Sequence, residues 1–222
     1  MIFPEAWIME DSSEKTNSHR IEEVAGRAST CTACGLSKTR KNVVFGEGNP
    51  DAPLVLIGEG PGQNEDATGR PFVGMSGALL DECLQENGIT RKHIYICNVI
   101  RCRACALEGG RIQNRPPTPE ETKACLPWLV QTLDIIQPKV ILCLGGPSAS
   151  SIIHKDFRMM QERGQWFESP YCRHAMATLH PAYILRQEGE AYQAARRNLV
   201  DDIASARKKV IEAKKEPPQS LF

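Results

Sequence analysis

The chain has 222 residues, with 27 basic and 27 acidic side chains and a formal net charge of zero. That length can bury a substantial core, and 41% hydrophobic residues suit a globular protein rather than a disordered one. No apolar stretch reaches the ~18 residues of a membrane span and no basic-then-apolar leader opens the chain, so a cytoplasmic location with no membrane partner is expected.

In chain order, residues 1–18 are polar and without period, and read as a flexible N-terminal extension. A short helix is expected over 19–28, leading into Cys31-Thr32-Ala33-Cys34. Apolar runs at 54–57, 94–100, 140–144 and 175–179 read as four strands, with helical spacing between them. Residues 76–86 carry Leu79, Leu80, Cys83 and Leu84 on one helical face. Thr118-Pro119-Glu120-Glu121 is a helix start: an N-cap threonine, a proline in the first turn and a glutamate three residues after the cap. Gln137-Pro138 closes that helix. A shorter helix is expected over 147–154 and a long amphipathic one over 190–214, before a flexible tail at 215–222. Strands alternating with helices imply an α/β fold, a three-layer α/β/α arrangement with a central, mostly parallel four-stranded sheet. The whole of 19–214 is expected to form a single domain, in a monomer.

In such sheets ligands bind beyond the carboxyl ends of the strands, so each loop that follows a strand has functional meaning. After the first strand, Gly58-Glu59-Gly60-Pro61-Gly62 makes a tight turn whose backbone can approach a ligand closely. The loop lacks the Gly-Lys-Ser/Thr ending of a phosphate cradle, and Glu59, Glu65 and Asp66 would repel a phosphate. A flat neutral ligand suits it better, with Phe72 placed to stack on a planar base. Asn98 ends an apolar run, where its amide needs partners. That amide offers a donor and an acceptor side by side, which complements the O4 and N3–H edge of uracil and not cytosine. His180 stands at the tip of the fourth strand, where a donor can stabilise a developing anion. Ile184 and Leu185 follow in what reads as an exposed loop, as an apolar wedge between stacked bases would.

Nine cysteines, an odd count without a leader, argue against a disulfide framework. Cys31-x₂-Cys34 is one half of a metal site. Cys102 or Cys105, with Cys125, completes four thiolates, a set for an iron–sulfur cluster or for tetrahedral zinc. Cys83, Cys97 and Cys143 lie in apolar runs and read as core thiols. Basic residues cluster at Lys38, Arg40 and Lys41, at Arg101 and Arg103, and at Arg111 and Arg115, which allows a basic cleft on a neutral protein.

Together these pieces resemble the family 4, iron–sulfur uracil-DNA glycosylases. Cys31-x₂-Cys34, residues 42–50, Gly58-Glu59-Gly60-Pro61-Gly62 with Glu65-Asp66, residues 69–74, residues 98–102, Asn114-Arg115, Cys125 and residues 180–186 occur in that family's order over roughly 20–205. The resemblance implies a base-excision repair enzyme that hydrolyses the N-glycosidic bond of deoxyuridine in single- or double-stranded DNA by base flipping and leaving-group stabilisation. It implies catalytic roles for Glu59, Glu65 and His180, with Glu65 positioning the attacking water. It places Gly58, Gly60, Phe72 and Asn98 around the uracil, and Arg115, Ile184, Leu185 and Arg186 on the DNA. It gives Cys31, Cys34, Cys102 and Cys125 a 4Fe–4S cluster, ahead of zinc. The segment 103–113 is several residues longer than the family's usual link. A related glycosylase group traps the sugar on a histidine in such a loop, whereas no histidine lies between His93 and His154 here, so turnover is expected. The alternatives are a non-catalytic iron–sulfur nucleic-acid-binding module, a member with another damaged-base preference, and a thiol enzyme pairing Cys172 with His174 or His180. The ending Gln219-Ser220-Leu221-Phe222 is a short, degenerate likeness to a sliding-clamp ligand.

Overall fold

The computed structural model describes residues 15–215. The clamp-like ending and most of the expected extension and tail lie outside the described residues. The first helix, α1 (Asn17–Ser29), takes in two residues assigned to the extension, because Thr16 caps it by accepting the His19 N–H at 3.3 Å.

The central sheet has six strands rather than four. The expected four are its interior: β2 (Leu54–Gly58), β3 (Tyr95–Asn98), β6 (Val140–Leu144) and β8 (Cys172–Thr178). They run parallel in the order β3-β2-β6-β8. The additions are antiparallel edges, β1 (Glu47–Gly48) beside β3 and β7 (Phe167–Ser169) beside β8. Two or three residues are too few to show a period of two, which is why neither edge was legible. The long 103–113 segment folds as a separate hairpin of β4 (Cys105–Glu108) and β5 (Arg111–Asn114).

Alternation along the inner strands divides the core. Val55, Ile57, Cys97, Ile141, Cys143, Ala175 and Ala177 face α1, α4 (Pro119–Ile136) and α5 (Gly146–Ile152). Leu54, Leu56, Ile96, Val140, Leu142, Leu144 and Met176 face α3 (Met75–Glu86) and α8 (Gly189–Ala213). Both faces are apolar because both are covered, which gives the three-layer α/β/α fold. Parallel pairing then brings Gly58, Asn98, Leu144 and Thr178 to one edge of the sheet. No helix is long and apolar enough to cross a membrane among the described residues.

Candidate active site

A cleft of about 400 Å³ opens at that edge. Its wall is the 59–65 loop, Phe72 and the start of α3, with Asn98 and Ile100 at the end of β3 and His180 after β8. Ala104, Asn114 and Arg115 close the opposite side.

Asn98 is 2% exposed, yet its amide makes no hydrogen bond among the described residues. Asn98 lines the cleft, so its amide is open to a partner bound there. Gly58 lies directly beneath. A Cβ built there would stand 2.5 Å from Asn98 Oδ1 and 2.6 Å from Phe72 Cζ, so the bare backbone lets both side chains sit together. Gly60 is similarly closed off, since its Cβ would meet Ile100 Cγ1 at 2.6 Å. No side chain therefore fits at that position without moving Ile100.

Phe72 is buried and adopts φ of +52°, a conformation that costs a bulky residue about 1–3 kcal/mol. Arg91 holds it there. Its guanidinium donates to Pro71 O at 2.9 Å and to Phe72 O, and is fixed in turn by Asp81 at 2.9 Å and Glu47 at 3.3 Å. Nothing local in the sequence connects Arg91 to this loop. The Phe72 ring lies 6.0 Å from the His180 ring, tilted by 32°.

His180 caps the one-turn helix α7 (Pro181–Ile184), its Nδ1 accepting the Ala182 N–H at 3.0 Å. The ring proton therefore sits on Nε2, and the imidazole is a donor. Burial, followed by the positive charge of Arg186, pushes its pKa down to about 4. The ring stays neutral at ordinary pH and keeps that donor without becoming a cation.

The two glutamates have different surroundings. Glu65 Oε1 accepts the N–H groups of Val73 and Gly74 at 2.9 and 3.0 Å, and Oε2 accepts that of Gly62 at 3.1 Å. Its carboxylate thus ties the glycine loop to the Phe72 loop. Asp66, 3% exposed, likewise accepts the Lys41 N–H at 2.8 Å. Glu59 makes no hydrogen bond or ion pair among the described residues, and burial alone raises its pKa. Of the two glutamates in the cleft, it is the one whose carboxylate has no partner.

One DNA-facing expectation is corrected. Ile184 is 0% exposed and packs in the core against the α3 and α8 layer, because α7 turns it inward. It is a core residue and not a wedge, while Leu185 is 38% exposed. Arg115 lines the cleft, but its guanidinium is paired in two-pronged fashion with Glu121 at 2.6 and 2.8 Å. The thiol-enzyme alternative also falls: Cys172 is buried, lies 3.2 Å from Pro138 O, and burial raises its pKa to about 11.

On the other side of β3, Cys31, Cys34, Cys102 and Cys125 line one cavity with Arg40 and Arg101. Cys105 is instead on the hairpin. No three metal-binding side chains are placed to hold a single ion among the described residues. The surroundings nonetheless ask for an anion. Arg101 is 1% exposed; its Nη2 donates to Thr132 Oγ1 at 3.1 Å and its guanidinium lies over the Phe45 ring, while among the described residues Nε and Nη1 have no hydrogen-bond partner and no carboxylate balances the charge. The Arg101 N–H donates to Cys125 Sγ at 3.2 Å and Arg40 to Cys102 Sγ at 3.6 Å. Four thiolates around an iron–sulfur cluster form an anionic group spread over a cage rather than around one atom. The four sulfurs and the buried Arg101 cation beside them fit that group.

The uracil DNA glycosylase superfamily model matches residues 45–204. The chain is 42% identical to the type-4 uracil-DNA glycosylase of Thermotoga maritima over 86% of its length and 95% of that protein. It is 38% identical to the type-4 uracil-DNA glycosylase of Pyrobaculum aerophilum over 71% of this chain and 80% of that one. Similarity to the type-5 uracil-DNA glycosylase of Thermus thermophilus is lower, 27% over 74% and 79%. With its cleft, its fold and these relatives, the chain belongs to the uracil DNA glycosylase superfamily.

Proposed function

We propose that the protein is a DNA repair enzyme that hydrolyses the N-glycosidic bond of deoxyuridine in DNA, releasing uracil and leaving an abasic site. The single observation that carries this reading is that the unpaired amide of Asn98 lines one cleft with the Phe72 ring and the His180 imidazole.

A base inside a duplex is out of reach, so the nucleotide is flipped into the cleft at a cost of a few kcal/mol. Phe72 stacks on the flipped ring, and Asn98 donates to O4 and accepts from N3–H. Cytosine presents the reverse pattern and leaves polar groups unpaired, at about 1–3 kcal/mol each. As the C1′–N1 bond breaks, its electron pair leaves with the uracil, and His180 Nε2–H donates to O2 of the resulting anion. Water adds to C1′ and loses a proton. Glu59, ionised above its raised pKa, accepts that proton, while Glu65 holds the pocket's two loops in register. Beyond His180, Leu185 presses on the bases beside the flipped nucleotide and Arg186 contacts the DNA backbone. Cys31, Cys34, Cys102 and Cys125 hold a 4Fe–4S cluster, in preference to zinc. When bound, that group supplies a structural clamp joining α1 to the end of β3 and to α4. The protein works as a monomer in the cytoplasm.

Incubation of the full chain with oligonucleotides carrying one deoxyuridine, followed by alkali, is expected to cut at that position and to leave the deoxycytidine control whole. Intact deoxyuridine after exposure to protein with an absorbance band near about 400 nm would overturn the reading.

A further inference from the structure

With Ile184 in the core, a single partly exposed aliphatic, Leu185, remains beyond His180, and a flipped nucleotide leaves a gap in the stack. The 105–114 hairpin carries what that loop lacks. Leu107 and Ile112 are directly paired across it and are 73% and 62% exposed. Period-two alternation puts both on the face that also carries Asn114, and Asn114 lines the uracil cleft. An apolar pair on an otherwise exposed hairpin, continuous with the cleft wall, is a costly surface unless something covers it. The hairpin's strands pack on each other and on no other helix or strand to any comparable extent. Its charge suits a polyanion: Arg111 is near the tip and Arg103 at the base, against the single carboxylate of Glu108 within the hairpin, while Arg115 is already neutralised by Glu121. Arg103 Nε donates to Asn114 Oδ1 at 2.6 Å, which fixes the hairpin's base to the cleft wall.

We propose that this hairpin is a second DNA-binding element, in which Leu107 and Ile112 press on the base stack beside the flipped nucleotide and Arg111 meets a phosphate. The proposal rests on the glycosylase reading of the cleft and adds a substrate dependence to it. The hairpin matters where there is a stack to hold open, in duplex DNA, and far less on a single strand.

The test uses the full chain and the double variant Leu107→Ser/Ile112→Ser. Both side chains are exposed, so melting temperature should hold and serves as the folding control. Excision from a uracil–adenine duplex should fall about tenfold more than excision from the same strand unpaired. A 2-aminopurine placed next to the uracil gives a readout independent of cleavage: its fluorescence rise on binding wild type should be reduced with the variant. Equal losses on both substrates, or no loss on the duplex, would overturn the proposal. The unmodified protein's excision of uracil from the single strand stands as the separate test of the cleft reading.

Discussion

Gly58→Ala isolates the geometry of the pocket in one methyl group. The glycine ends β2, and in an ordinary backbone conformation alanine would stabilise the fold by about 0.4–1 kcal/mol through the unfolded chain. The added Cβ would instead stand 2.5 Å from Asn98 Oδ1 and 2.6 Å from Phe72 Cζ. Phe72 has little freedom to retreat, since Arg91 holds its carbonyl at φ of +52°. Asn98 and the ring must therefore separate, misplacing the edge-reading amide and the stacking face together. A displacement on the order of 1 Å at reacting groups costs roughly 10²-fold in rate. Measured with a labelled deoxyuridine oligonucleotide under single-turnover conditions, the variant should lose about 10²-fold in kcat/KM, with a melting temperature within a few degrees of wild type. A stable variant retaining activity within about threefold would refute the claim that Asn98 and Phe72 form the base pocket.

His180→Gln should lower excision by roughly 10²–10³-fold, the cost of losing an anion-stabilising donor. Because His180 titrates near pH 4, below its unfolded value of 6.5, the unfolded state binds the extra proton first. Wild type should therefore lose up to about 3 kcal/mol relative to this variant as pH falls from 6.5 to 4, read from denaturant midpoints; parallel curves would contradict the assigned shift. Glu59, whose pKa is raised by burial, should set the acid limb of activity above the ordinary carboxylate range, and Glu59→Gln should abolish that limb with most of the activity. A limb that persists in the variant would assign it to another group. Ile184→Ala should cost about 2–5 kcal/mol of stability, and single- and double-stranded excision should change alike; a duplex-specific loss without destabilisation would restore the wedge.

The sequence reveals those features that local chemistry or periodicity dictates. The four inner strands are long apolar runs, and α4 begins with a complete capping box at Thr118 and Glu121. Asn98 and His180 stand out because a polar side chain ending an apolar run needs a reason. Cys102, and not Cys105, lines the cavity that holds Cys31, Cys34 and Cys125, a difference that arises only where β3 ends and the hairpin begins. What stayed hidden depends on distant partners. Glu65 reads as a chemical group until the Val73 and Gly74 amides reach it, and Arg91 has no visible connection to Phe72, nineteen residues away along the chain. Ile184 was misread because a one-turn helix leaves no period to detect, so its inward rotation is set by packing alone.

The most direct measurement is a crystal structure of the full chain with DNA bearing a deoxyuridine analogue that resists cleavage. The account predicts the pyrimidine against Phe72, the Asn98 amide within hydrogen-bond distance of O4 and N3, and His180 Nε2 within reach of O2. A pyrimidine held elsewhere, with the Asn98 amide still unpaired, would contradict it.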